Sequence, residues 1–319
     1  MLYDVVFFVF GFALVAKGGG LFVDSSVHIG KFFGVPRFVI GGTLVSLATT
    51  TPELTVSAVA SGAGDAGIAL GNAVGSCICN IGLIVGTVAL LTPVEVEKRD
   101  FTRRAAWMAS AAVLVITFTW DRTLSRPLSI LLLALALVYL AWDYIGIKRR
   151  LKKASDEERP ADTAGVVREA SFFVFGAVMI VVGSRFLVSS GQSVATALGV
   201  PSVIIGLSIV ALGTSLPEFV TAVSAARKGV TDLALGNIVG ANVLNLYLVV
   251  GMAGTIRPLT LGLFTQVYSY LWLVIFFAVL IALLVPSGRC HRRGGLVLLG
   301  LYAVYVTGLV VAPRIGLGT

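Results

Sequence analysis

Apolar runs separated by short polar or glycine-containing breaks fill the chain, at about 3–23, 37–61, 67–91, 104–120, 127–147, 170–188, 201–226, 232–256, 266–285 and 295–312. At a rise of about 1.5 Å per residue, helices of this length match the hydrocarbon thickness of a bilayer. The pattern predicts an all-α polytopic membrane protein with ten transmembrane helices. The first run follows no basic segment and precedes no A-x-A cleavage pattern, so it reads as a span and not as a removable signal.

The polar breaks repeat. Phe7–Gly11 returns as Phe172–Gly176, and Gly18 returns as Gly183. Gly34-Val35-Pro36 returns as Gly199-Val200-Pro201, each time 165 residues on and without a gap. The chain divides into a first five-helix repeat (1–148), a connector (149–168) and a second five-helix repeat (169–319). Five is odd, so the second repeat must enter the membrane from the opposite side. Inverted-topology repeats mark secondary transporters that bind substrate near the midplane, between the repeats. The polar, short connector is expected to be flexible.

Composition agrees with the pattern: 57% of residues are hydrophobic and 13% charged, with a mean hydropathy of +0.97. The net charge of +8 would suit a nucleic-acid ligand, but its distribution argues otherwise. With residues 148–168 in the cytoplasm, their seven Lys/Arg join Lys17, Lys31, Arg37, Lys98, Arg99, Arg103, Arg104, Arg227, Lys228, Arg289, Arg292 and Arg293 to make 19. The other side keeps 5: Arg122, Arg126, Arg185, Arg257 and Arg314. By the positive-inside rule both termini face outward, in a multi-pass protein of the cell membrane. Cys77 and Cys79 stand two apart on a predicted helix, facing different directions. With Cys290 they read as small buried residues, not as a metal site or a disulfide framework.

The chemistry lies in the third polar motif of each half. Thr49-Thr50-Thr51-Pro52-Glu53 is followed by Gly71-Asn72-Ala73-Val74-Gly75-Ser76-Cys77-Ile78-Cys79-Asn80. Its copy is Thr214-Ser215-Leu216-Pro217-Glu218, then Gly236-Asn237-Ile238-Val239-Gly240-Ala241-Asn242-Val243-Leu244-Asn245. A carboxylate at membrane depth costs about 2.5–3.5 kcal/mol on insertion scales and marks a functional site. Proline in a helix interior removes a hydrogen bond, so the break is expected to free carbonyls such as those of Ser46, Ala48 and Thr49. Ala211 stands in the second copy where the first has Ser46. Two carboxylates, freed carbonyls, the Thr and Ser hydroxyls and the amides of Asn80 and Asn245 would give a hard cation such as calcium its six to eight oxygens. The motif glycines would let helices approach closely. Asn72 and Asn237 suit hydrogen bonds between helices as well as ligation. Asp65 and Asp232 are expected in loops, solvated, and His28 and His291 receive no role.

Other classes fit less well. An intramembrane hydrolase with paired carboxylates needs distinct acid and base environments, whereas these glutamates have near-identical neighbours and no Ser/His partner. A cation channel also uses carboxylate rings, but inverted halves with broken helices favour alternating access.

The doubled motif resembles the α-repeats of the calcium/cation antiporter superfamily, G-T-S-x-P-E followed by G-N-x-x-G-S-N-x-x-N/D, most closely in the prokaryotic sodium/calcium exchanger branch. The G-N-A-x-E of the calcium/proton branch is absent. The resemblance covers both repeats and all ten runs. It implies calcium ligation by Glu53 and Glu218 with the Thr49 and Thr214 carbonyls, and sodium contacts at Thr50, Ser76 and Ser215. It also implies a polar role for Asn80 and Asn245, and sliding of the spans at Phe7–Val23 and Phe172–Val188 as a gating pair. The transported ions would be Ca2+ and Na+, with no cofactor, in a protein that works as a monomer. Departures are Ala48 and Thr51 in the first copy, Ala241 for a serine, Cys77 for an asparagine and Asn245 for an aspartate. Protons could replace sodium by neutralising the glutamates, but the hydroxyl-rich motif favours sodium. Asn245 withdraws the carboxylate of potassium-dependent relatives, so no potassium requirement is expected.

Overall fold

The structure is a computed structural model and describes residues 2–154, 163–197, 211–263 and 265–311. It is helical. Among those residues, six helical stretches are long and apolar enough to cross a membrane: Val6–Phe32, Ala66–Leu91, Arg126–Ile147, Gly165–Leu187, Thr231–Ile256 and Thr265–Leu284. The expected span 201–226 begins outside the described residues. The expected flexible connector is partly helical: α8 (Arg126–Ala154) runs into it and α9 (Thr163–Ala197) starts within it. Residues 155–162 lie outside the described residues.

The first half opens with α1 (Leu2–Phe32). The expected span 37–61 is broken into α2 (Arg37–Ile40), a π-helical turn at Gly41–Val45, α3 (Ser46–Thr49) and α4 (Thr51–Ala63). The hinge is Thr50, at φ −78° and ψ −5°, one residue after α3 and two before a proline that has no N–H to give the Ala48 carbonyl. α5 (Ala66–Cys79) continues through a π-helical turn at Asn80–Val85 into α6 (Gly86–Leu91). α7 (Lys98–Phe118) and α8 complete the half. After α9 come α10 (Ala211–Thr214), α11 (Leu216–Arg227) and α12 (Thr231–Leu244). A π-helical turn at Asn245–Val249 leads into α13 (Val250–Ile256). α14 (Tyr270–Leu284) and α15 (Arg292–Val311) end the fold.

Two contacts matter for the site. α1 and α9 lie against each other along paired glycines: a methyl on Gly11 would stand 2.8 Å from the Gly183 carbonyl oxygen, and one on Gly18 would stand 3.0 Å from that of Gly176. Numbers rise along one helix as they fall along the other, so the pair is antiparallel. Phe7 stacks on Phe186 at 5.3 Å and Phe22 on Phe173 at 4.5 Å on either side of this seam. α12 crosses the broken helix of the first half backbone to backbone. Its Gly236 lies on the Phe38 carbonyl and its Gly240 on Gly42 and Ser46, where any larger side chain would collide.

Two small antiparallel ladders also join the halves. β1 (Val94–Glu95) pairs with β4 (Arg289–Cys290), and β2 (Thr123–Leu124) pairs with β3 (Leu259–Thr260). Since α7 runs between β1 and β2, the ladders sit at its opposite ends.

Several charged residues are placed differently from expectation. Arg104, counted above among the charges of the cytoplasmic side, is 2% exposed. It pairs with Asp143 and donates to Tyr139 Oη at 2.8 Å and to the Gly42 carbonyl at 3.0 Å, so α7 and α8 hold the π-helical turn next to the helix break. Burial is tolerable because the guanidinium is paired and hydrogen-bonded. Asp232, expected in a loop, lies in the first turn of α12 and pairs with Arg37 at 3.0 Å. Asp65 is exposed in its loop, as expected, and caps α5 by accepting from the Ile68 N–H at 2.8 Å, while His28 pairs with Glu169 at 3.6 Å. Cys77, Cys79 and Cys290 are buried free thiols.

Candidate functional site

Each break ends by starting a helix whose first turn carries the glutamate: Glu53 in α4, Glu218 in α11. Helix N-termini point N–H groups and the positive end of the macrodipole at what lies before them, which favours a carboxylate there. Both glutamates are 0% exposed. Ser215, at the second break, donates to Glu53 Oε1 at 3.4 Å and to Ser76 Oγ at 3.1 Å. Ser76 in turn donates to Glu53 Oε1 at 3.4 Å. Three of the expected ion-site residues, Glu53, Ser76 and Ser215, are thus one connected cluster drawn from both halves.

A pair of matching bonds surrounds this cluster. Thr49 Oγ1 donates to Asn237 Oδ1, and Thr214 Oγ1 donates to Asn72 Oδ1, both at 3.1 Å. Asn72 also donates to the Glu53 carbonyl at 3.2 Å and to Ser57 at 3.0 Å. Both asparagines therefore join helices. The Ser46 carbonyl, expected to be free, accepts the Thr50 N–H at 2.9 Å, and the Ser46 hydroxyl turns to the Thr43 carbonyl at 3.1 Å. The break is tighter than proline alone suggests. Ala211 opens α10.

The asparagines that start the π-helical turns differ from one another. Asn80 donates to Asn242 Oδ1 at 3.0 Å. The residue equivalent to Asn242 in the first half is Cys77, and among the described residues neither amide atom of Asn245 meets a hydrogen-bond partner. π-helical turns inside helices often lie at functional sites because they turn one side chain off the regular face.

Buried oxygens without a hydrogen-bond partner are unusual and call for a reason. Among the described residues, the breaks and π-helical turns supply Glu53 Oε2, both Glu218 carboxylate oxygens, Asn80 Oδ1, Asn245 Oδ1, Thr50 Oγ1 and Thr221 Oγ1. All belong to residues at most 1% exposed. This donor set, carboxylate plus neutral oxygen with no sulfur or imidazole, suits a hard cation carried as substrate. Thr221 is an addition to the expected residues. Its spacing of three from Glu218 on one helix face was the available signal.

The sequence profile of the family described as sodium/calcium exchanger protein matches residues 3–145 and 169–311. An uncharacterized membrane protein of Methanocaldococcus jannaschii is 31% identical over 97% of this chain and 99% of its own length. The sodium/calcium exchanger MaX1 of Methanosarcina acetivorans is 32% identical, over 93% of this chain and 95% of that one. Among solved structures, the sodium-calcium exchanger NCX_Mj soaked with zero Na+ and Ca2+ superposes with a TM-score of 0.84 at 30% identity, covering 97% of this chain and 99% of that one.

Proposed function

The chain belongs to the sodium/calcium exchanger protein family, and on that premise we propose that the Glu53–Glu218 cluster is where it exchanges Ca2+ for Na+. It is a membrane transporter and not an enzyme. The observation that carries the site assignment is the burial of both carboxylates, with three of their four oxygens unpartnered among the described residues. Two carboxylates at membrane depth are tolerable only with countercharge, and one calcium supplies it. In the return step sodium takes its place, held by Glu53, Glu218, Thr49, Thr50, Thr214, Ser215, Ser76, Asn80 and Asn245, with Ala211 contributing backbone oxygen. An empty, doubly charged cavity would be costly to move through low dielectric, and this couples the two fluxes.

In this reading ten spans form two inverted five-helix repeats, with both termini outside and the 149–168 segment in the cytoplasm of a cell-membrane monomer. The twin Thr–Asn bonds, the twin glycine contacts of α1 and α9, and the ladders at opposite ends of α7 support that symmetry. The α1–α9 seam is the moving gate of an alternating-access cycle. Potassium is not required, since Asn245 brings no charge.

The test is calcium-45 uptake into proteoliposomes under an outward sodium gradient, with pH clamped and potassium absent. Sodium-driven uptake is expected. Uptake that needs a proton gradient would replace sodium with protons as the coupling ion. For topology, single cysteines at 155 and 316, in a background lacking Cys77, Cys79 and Cys290, should react with an impermeant thiol reagent from opposite sides.

A further inference from the structure

A partly open cavity of about 340 Å3 reaches both helix breaks: Pro52 and Thr55 line it from the first half, Thr214 and Pro217 from the second. Among the described residues that line it, one is charged, and that one is a cation: Arg185 of α9, beside the buried Ser184. An arginine on the approach to a site built for cations is unexpected on electrostatic grounds.

The opposite end of the α1–α9 pair is built differently. The position 165 residues before Arg185 is Gly20 on α1. The nearby basic group there, Lys228, donates to the Gly20 carbonyl at 2.9 Å and is neutralised by Asp24 at 2.6 Å. The Arg185 cavity thus carries an unopposed guanidinium among its described lining residues, whereas the matching position near Gly20 carries a compensated ion pair.

We propose that Arg185 makes the two faces of the exchanger unequal by lowering apparent cation affinity, calcium's above all, on the face to which its cavity opens. The inference rests on the site assignment above. A fixed potential acts on an ion in proportion to its charge, so a factor f on each sodium becomes f squared on calcium. The guanidinium thereby shifts the preference of that face toward sodium. Screening at physiological salt acts over about 8 Å, so the exposed Arg185 guanidinium acts on ions in or next to its cavity.

The test compares sodium-dependent calcium-45 uptake in right-side-out and inverted vesicles. For Arg185→Gln, KM for calcium on the Arg185 face should fall roughly tenfold, within the range that charged clefts produce, and half-saturating sodium on that face should fall by the square root of that factor. The opposite face should keep its wild-type constants. Arg185→Lys should retain wild-type KM on both faces, and Arg185→Glu should move further than Gln in the same direction. An equal shift on both faces, no shift, or a Lys variant as altered as the Gln variant would overturn the proposal. A wild-type protein that moves no calcium against sodium on either face would instead overturn the site assignment beneath it.

Discussion

The Thr49 hydroxyl donates to the amide oxygen of Asn237 across 3.1 Å, joining the break in the first half to α12 of the second. Its twin, Thr214 to Asn72, has the same length and joins the halves in the reverse sense. Each glutamate is therefore positioned by a helix break that the other half holds. Asn237→Leu should cost about 1–2 kcal/mol, the range for a buried hydrogen bond left half-made, read as a lower melting temperature in detergent. Thr49→Val combined with Asn237→Leu should cost less than the sum of the single changes, because the pair shares one interaction.

Glu53→Gln and Glu218→Gln keep shape and remove one of the two charges facing the ion. Calcium-45 flux should drop by roughly two orders of magnitude or more in either variant, as expected when one partner of a buried ionic contact is withdrawn. Near-wild-type flux in either would end the assignment of that residue as a ligand.

Cys77→Asn should give Asn245 the amide partner that Asn242 gives Asn80. A gain of about 1 kcal/mol, typical of one added hydrogen bond, is expected in a thermal melt without ions. A loss would mean that the Asn245 amide and the Cys77 thiol already fit each other.

Arg104→Gln should take from Asp143 its buried guanidinium partner and remove a donor from the Gly42 carbonyl. A loss of about 3–5 kcal/mol follows from breaking such a pair on one side only. Arg104→Gln with Asp143→Asn should recover part of it, measured as melting temperature and as the fraction of monodisperse protein.

Gly183→Ala places a methyl 2.8 Å from the Gly11 carbonyl oxygen. Turnover of calcium exchange should fall severalfold while equilibrium calcium binding stays close to wild type. A loss of both would mean that the seam is needed to form the site and not only to move beside it.

The sequence carried the outline because its strongest signals are chemical exceptions: two carboxylates and two prolines in apolar runs, spaced by one repeat length. Other parts were not legible, for physical reasons. Arg104 reads as one more basic residue at a span's end, since its partner Asp143 lies 39 residues away on another helix and helical periodicity does not link them. The ladders are two residues long, too short for any strand pattern. The inequality of Asn80 and Asn245 arises from what stands opposite each, Asn242 or Cys77, and only the packed helices bring those together. Ser46 misled because a proline's lost bond is local, and the Thr50 N–H closed the gap.

The ladders bear on how the protein is made. Val94 and Glu95 wait for Cys290 and Arg289, and at about 5–20 residues per second that is roughly ten seconds or more of translation. For about the first six seconds or more of that interval Ser215 is not yet made, and Glu53 sits in the nascent bundle without it. The first half completes these contacts only when the second half arrives.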